Sequence, residues 1–274
     1  RARQFSSKGF TFDMGPSWYW MPDVFEKYFN DFNKNINDYL NLKRLDPSYK
    51  VFFEDEIVDI PANYESLKEL LESMEEGSGE KLDLFLNQAK NKYKVGIENL
   101  VYKPGLSIKE FINKETLSGV LKLNVFQSMY KHIRKFFKNE KIIKLLEFPI
   151  LFLGATPKNT PALYSLMNYA DIKLGTWYPE GGMHKIVEAM VNLAEEKGVK
   201  FYRNEEVKKL SYLDNKISHV ITTKNTFEAD YVICSGDYNH FDQNILNPKY
   251  RSYSKSYWNK RVLAPSSLLF YIGL

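Results

Sequence analysis

Cysteine is all but missing: Cys234 is the single one in 274 residues, so no intrachain disulfide can staple the fold. A lone thiol of this kind suits a reducing cytoplasm and is expected as a small buried hydrophobe. Histidine is scarce as well. His132, His184, His219 and His240 stand too far apart in sequence to form a ligand pair, and no paired-cysteine spacing exists, so no metal centre is expected. No apolar run reaches the roughly 20 residues that span a bilayer, and no signal-peptide pattern opens the chain. Fixed-period repeats, low-complexity tracts, a P-loop, HExxH and GxSxG are all absent. A disulfide scaffold, a membrane-spanning helix, a solenoid and the common hydrolase and NTPase sites are thereby set aside.

What remains is material for a core: 44% hydrophobic and 15% aromatic residues, with a formal charge of +4 from 38 basic and 34 acidic side chains. That mild excess is compatible with an anionic membrane surface and falls short of a nucleic-acid-binding composition. Phe5, Phe10 and Phe12 alternate around Gly9 as in a strand with a turn or bulge, which Gly15-Pro16 closes. Pro22-Asp23 opens a helix carrying Val24, Phe25, Tyr28 and Phe29, and residues 51–60, VFFEDEIVDI, form two short strands around a polar turn. Residues 63–102 carry two helical stripes separated by Gly77-Ser78-Gly79, and the SIKE spacing at 107–110 predicts a further helix start near Ile108.

From Phe126 to Lys144 apolar residues at helical spacing alternate with Lys131, Arg134, Lys135, Lys138, Lys141 and Lys144. Two structures fit this pattern: an amphipathic helix lying on anionic lipid, or a helix packed on a core with a solvated basic face, the commoner arrangement. Beyond Gly154 the chain changes character. A helix over 162–169, the loop LGTWYPEGG (174–182), a helix with Ile186, Val187, Met190, Val191 and Ala194 stopped by Gly198, and extended runs VKFYRN, VKKLSYL, KISHVITT and TFEADYVICSGD follow in order. The expectation is a helix, a parallel return and a meander.

The chemistry-bearing features are small residues at the ends of extended runs. DMGP and CSGD place glycine where backbone can approach a flat or phosphorylated ligand, and Gly181-Gly182 precede a helix whose free amides could face an anion or a cofactor ring.

Arg1 with GFTFDMGP resembles the second flavin-binding stretch of the phytoene desaturase family of carotenoid oxidoreductases, where a Gly-Gly-Arg element precedes GFTFD-x-GP. LGTWYPEGGMHKIVEAMVNLAEEKGVKFYRNEEVKKL, ADYVICSGDY and SSLLFYIGL resemble further elements of that family in the same order, so the likeness covers essentially the whole chain.

The resemblance implies an α/β protein, α+β in its substrate part: a Rossmann-like FAD-binding domain (residues 1–20 and 181–240) interleaved with a mixed-sheet, helical substrate domain (21–180 and 241–274). It implies an internal fragment, with the GxGxxG fingerprint expected before Arg1 and an isoalloxazine-contacting segment after Leu274. Arg1, Gly15, Pro16, Val207, Ser235, Gly236 and Asp237 would contact FAD, with Val207 bonding adenine through its backbone. Trp177, Tyr178, Gly181, Gly182 and Met183 would wall the substrate tunnel. Glu180 is the one acid in that loop, and an exposed loop carboxylate is a commoner role for it than proton acceptor. The implied activity is FAD-dependent desaturation of a long isoprenoid such as phytoene, at the inner face of a membrane. The alternatives are a related isoprenoid oxidoreductase (hydroxycarotenoid desaturase, ketolase, isomerase or retinol saturase) and a non-catalytic prenyl- or lipid-binding protein on the same scaffold.

Overall fold

The computed structural model describes residues 2–104, 107, 126–262 and 266–273, and its chain divides into two compact units, residues 1–193 with 267–274, and residues 194–266. In the first unit β1 (Arg3–Ser7) and β2 (Phe10–Met14) form an antiparallel hairpin turned at Lys8-Gly9, and Phe5 and Phe12, opposite one another in register, stack at 5.2 Å. Pro22 opens α1 (Pro22–Asn30), as proline favours the first helical position. β3 (Leu42–Arg44) follows, then the hairpin of β4 (Tyr49–Phe52) and β5 (Ile57–Ile60). The double stripe becomes α2 (Tyr64–Met74), capped by the Asn63 side chain, and α3 (Ser78–Lys94), with Gly77 in the left-handed conformation between them.

The helix start near Ile108 lies outside the described residues. The basic stretch after it is a pair of short helices, α4 (Met129–Ile133) and α5 (Glu140–Glu147), each N-capped by its preceding residue, Ser128 or Asn139. Met129, Ile133 and Phe137 are fully buried in a cluster with Leu82, Phe85 and Ile142. Arg134 pairs with Glu140 and Glu147, and Lys141 with Asp55 and Glu56. The apolar face is therefore spent on the core, and the arrangement is the core-packed one rather than a helix lying on lipid. Lys92 shares this interior: its ammonium donates to Ala162 O and Ser165 Oγ, both at 3.0 Å, and to His132 Nε2 at 3.2 Å. With no carboxylate in reach among the described residues, burial pushes Lys92 down to about 8 and His132 down to about 4, so the imidazole is neutral and accepts.

A 3-10 turn (Phe148–Leu153) and the helical segment Ala162–Ser165 with α6 (Leu166–Tyr169) lead to β6 (Trp177–Pro179), which pairs antiparallel with β3. α7 (His184–Glu196) then buries Ile186, Ala189 and Leu193 in a second cluster with Tyr19, Phe29, Ile36, Leu40 and Met183.

In the second unit β7 (Val207–Leu213), β8 (Lys216–Thr222) and β9 (Thr226–Glu228) make an antiparallel meander. Residues 199–204, expected as a strand, are loop and turn with mostly exposed side chains, and the run expected to be extended through Asp237 keeps its ladder only to Glu228. Every strand pairing among the described residues is antiparallel. The expected parallel return has no counterpart there: the Ala229 N–H still bonds Ser218 O of β8 at 3.0 Å, and residues 230–236 have no hydrogen-bonded strand neighbour.

Candidate functional site

The first unit gathers its motif residues around one carboxylate. Asp13, near the end of β2, accepts from the Tyr178 hydroxyl at 2.7 Å, from the Met183 N–H at 2.8 Å and from the His184 N–H at 3.4 Å. The physical cause is a missing cap: the sequence GGMHKI offers α7 no Ser, Thr, Asp or Asn before its first turn, so the orphan amides take an acceptor from another segment. These bonds outweigh the cost of desolvation and hold the Asp13 carboxyl below its ordinary range. Gly182 makes the approach possible. Its φ is +104°, and a Cβ there would stand 2.9 Å from Asp13 Oδ2. The helix amides expected to be free for an anion or a cofactor are thus already engaged by Asp13. His184 adds a second tie to the N-terminal strand region through Nδ1, 2.7 Å from Ala2 O.

Gly15 (φ +134°) and Pro16 follow at the exposed end of the hairpin, where a Cβ on Gly15 would stand 3.2 Å from Ala2 N. Arg1 lies outside the described residues. The chain next runs through Trp18, Tyr19 and Trp20, and Tyr19 exchanges two backbone hydrogen bonds with Trp177, at 2.8 and 3.0 Å. Trp177 and Tyr178 are half-buried, while Met183 turns its side chain into the core and faces Asp13 only through its N–H. Glu180 is exposed and accepts from Asn41 Nδ2 at 2.6 Å, a tether between its loop and the segment before β3.

A second acid, Asp171, is buried nearby. Asp171 accepts from the Tyr49 hydroxyl at 2.7 Å and from the Thr176 hydroxyl at 3.0 Å, and Thr176 Oγ1 in turn accepts from the Trp20 indole N–H at 2.8 Å. Trp20 and Tyr49 belong to an aromatic group with Trp18, Phe148 and Phe152, their neighbouring rings 5.3 to 6.1 Å apart. Burial pushes Asp171 up to about 6 against the opposing pull of its two hydrogen bonds and the Arg44 charge.

The second unit brings four of the expected cofactor residues together. Val207 on β7 and the run Ser235, Gly236 and Asp237 line one cavity of about 310 Å³, whose walls also include Leu210, Val220 and Phe241. Asp237 Oδ1 caps the following helical turn by accepting from the His240 N–H at 2.7 Å. A Cβ on Gly236 would meet only Cys234 Sγ, at an ordinary 3.6 Å, so alanine fits there equally well. Cys234 itself is exposed at this cavity, contrary to its expected burial, because no strand covers its segment among the described residues. No cluster of His, Cys, Asp or Glu suited to a metal exists among the described residues.

The family model "Flavin containing amine oxidoreductase" matches residues 1–259. The chain belongs to that family. Within it, the chain is 33% identical over its whole length to a carotenoid 3,4-desaturase of Haloarcula japonica, covering 56% of that relative. It is 29% identical over its whole length to a zeta-carotene-forming phytoene desaturase of Myxococcus xanthus, covering 53%. A 4,4'-diapophytoene desaturase (4,4'-diaponeurosporene-forming) of Staphylococcus haemolyticus is 30% identical, again over the whole chain, with 56% of that relative covered. The chain spans about half the length of these curated relatives.

For this flavin-containing amine oxidoreductase chain, two acids that motif reading passes over, Asp13 and Asp171, organise the first unit. Asp13 was open to inference from the uncapped start of α7; Asp171 sits in an apolar run, MNYADIKL, where only its depth is unusual. The raised Asp171 makes a signed prediction. The folded protein holds this proton up to about pH 6 and the unfolded chain releases it near 3.8, so the group's contribution falls as pH rises between those values and is flat above them. Asp171→Asn removes that slope. From about pH 3.5 to about pH 7.5 its stability relative to the parent rises by about 3 kcal/mol, measured by urea unfolding at a series of pH values.

Proposed function

We propose that the protein carrying this chain is an FAD-dependent desaturase of a long-chain carotenoid precursor, of the phytoene or diapophytoene type. The observation that carries the reading is the Asp13 clasp, which draws GFTFDMGP, WYPEGG and the start of α7 to a single point. The full-length desaturase names of the relatives add support, as does the 310 Å³ cavity over Val207 and Ser235 to Asp237.

The residues fit a flavin dinucleotide. Bare backbone at Gly236 opens onto a cavity with apolar walls of a size suited to a flat base, and Gly15 and Pro16 leave the end of the hairpin free of bulky side chains. In this reading Val207 bonds adenine through its backbone, Ser235, Gly236 and Asp237 line the dinucleotide side, Arg1 sits by the phosphates or ribose, and Gly15 and Pro16 lie by backbone near the flavin. FAD, when bound, supplies the hydride acceptor for dehydrogenating a CH–CH pair. The protein's own part is to hold an apolar chain in a dry, fixed position. Trp177 and Tyr178 form the wall with Gly181 and Gly182, Asp13 fixes Tyr178, and the Asp171–Thr176 pair fixes Trp20 behind them. Residues 1–20 and 181–240 are assigned to the flavin domain and the rest to the substrate domain. Because such a substrate dissolves only in lipid, the enzyme works at a membrane surface on its cytoplasmic side; no helix among the described residues is long and apolar enough to cross one.

The test is expression of the whole enzyme in cells that make either C40 phytoene or C30 diapophytoene, with chromatography of the pigments. A product with additional conjugated double bonds from one of the two is expected. Unchanged phytoene and diapophytoene, from an enzyme that purifies with bound flavin, would overturn the desaturase reading in favour of another isoprenoid oxidoreductase. Absence of flavin as well would favour a prenyl-binding protein.

A further inference from the structure

The second unit carries a basic, aromatic segment that lies off the cavity and is tied to the sheet at its start, where Tyr250 stacks on Tyr212 at 4.3 Å. Of its 12 basic residues, five fall in the 14 residues from Lys249 to Val262, and none of its nine acidic residues does. Lys249, Lys255, Lys260 and Arg261 are exposed and Arg251 is half-buried. Among the described residues none of the five makes an ion pair: Lys249 donates to Asn215 Oδ1, and the Arg261 guanidinium stands 4.5 Å over the Tyr257 ring. Four like charges left to water on a short stretch repel one another, and a surface of opposite sign relieves that repulsion.

Aromatic side chains are interleaved with these charges and packed on one another. Tyr253 and Tyr257 stack at 4.2 Å, and Trp258 meets both edge-on, at 5.6 and 5.4 Å. The buried Asp242 anchors the group, accepting from the Trp258 indole at 3.1 Å and from the Ser252 N–H at 2.9 Å. These contacts run through the helical turn α8 (Lys255–Asn259), and Val262 just beyond it is 98% exposed.

We propose that residues 249–262 form a docking surface for an anionic phospholipid bilayer. Lysine and arginine gain about 1 kcal/mol each near such a surface, and tyrosine and tryptophan are at home where an apolar medium meets water. A single-stranded nucleic acid would meet the same charges, but it takes its affinity from bases stacking on open ring faces. Here Tyr253 and Tyr257 cover one face of each other, and Arg261 lies over the Tyr257 ring. Four cations and part of Tyr253 are exposed while the ring faces are largely covered, which suits head groups better than bases.

The experiment is co-sedimentation of the full chain with phosphatidylcholine vesicles, with and without roughly 30 mol % phosphatidylglycerol. Binding is expected to the anionic vesicles alone and to be lost at about 0.5 M NaCl, where screening is nearly complete. The combined variant Lys249→Gln, Lys255→Gln, Lys260→Gln and Arg261→Gln is expected to weaken binding about 1,000-fold. The comparison variant Lys131→Gln, Lys135→Gln and Lys138→Gln should leave binding as it was. Equal binding to neutral vesicles, loss in the comparison variant instead, or tighter binding of a fluorescent oligothymidylate than of vesicles would each overturn the proposal. The wild-type salt titration needs no variant to fold. No turnover is read, so failure here is separable from failure of the desaturase reading.

Discussion

Phe85→Ala lowers the stability of the first unit by about 3–5 kcal/mol, the range for emptying a fully buried aromatic site. Phe85 is wholly inaccessible, and its ring lies 5.6 Å from His132, 5.6 Å from Phe136 and 6.2 Å from Phe137. Three packed rings from α4 and the turn after it cannot all collapse into the vacated volume, so much of the cavity stays open. The loss also reaches the polar interior. Lys92 and His132 share a hydrogen bond in a place with no counter-ion among the described residues, and a cavity beside His132 invites water to both. Urea unfolding at neutral pH measures the effect as a fall in the midpoint with an unchanged slope. Phe85→Leu, which keeps most of the volume, should cost less than half as much. Equal costs for the two would show that this site is loosely packed.

Much of this core was legible from spacing. The stripes Leu67, Leu71 and Leu82, Phe85, Leu86, Ala89 stand on the buried faces of α2 and α3, because apolar residues at 3.6-residue intervals have one way to leave water together. VFFEDEIVDI becomes two paired strands for the same reason at period two. What spacing does not carry is the identity of the surface that receives a face. From Phe126 to Lys144 an amphipathic pattern is present, but lipid and protein offer an apolar face the same reward. The difference rests on Leu82 and Phe85, more than 40 residues earlier, which the local pattern does not contain. The strand expected at 199–204 fails likewise: VKFYRN has strand-like residues, but a strand also needs a neighbour to bond.

The candidate site divides in the same manner. Small residues at the ends of extended runs are a local signal, and Val207 does meet Ser235, Gly236 and Asp237 at one cavity. Asp13 and Asp171 act through partners that lie between 5 and 171 residues away in sequence, and no motif spacing records such distances.

Asp13→Ala tests how far the clasp matters. Losing a side-chain cap costs up to about 2 kcal/mol, and the stranded Tyr178 hydroxyl adds about 1 kcal/mol more, so a destabilisation of about 3 kcal/mol is expected. The contribution has a sign in pH. The folded carboxyl lies below 3.8, so the stabilisation is complete above that value and is lost as pH falls through the folded one. Asp13→Asn keeps an oxygen for the Met183 N–H and retains more than half of the stability, since asparagine caps about as well as aspartate. Its amide nitrogen, however, stands where Oδ1 accepted from the His184 N–H, so a donor meets a donor and the side chain turns, moving the oxygen that Tyr178 and Met183 share. The functional consequence then separates from the structural one. If Tyr178 and the double glycine position an apolar chain, the asparagine variant of the whole enzyme folds and binds flavin yet turns over about 100-fold more slowly, as expected for a displacement near 1 Å at a reacting centre. An asparagine variant with full turnover would leave Asp13 a helix cap and nothing more.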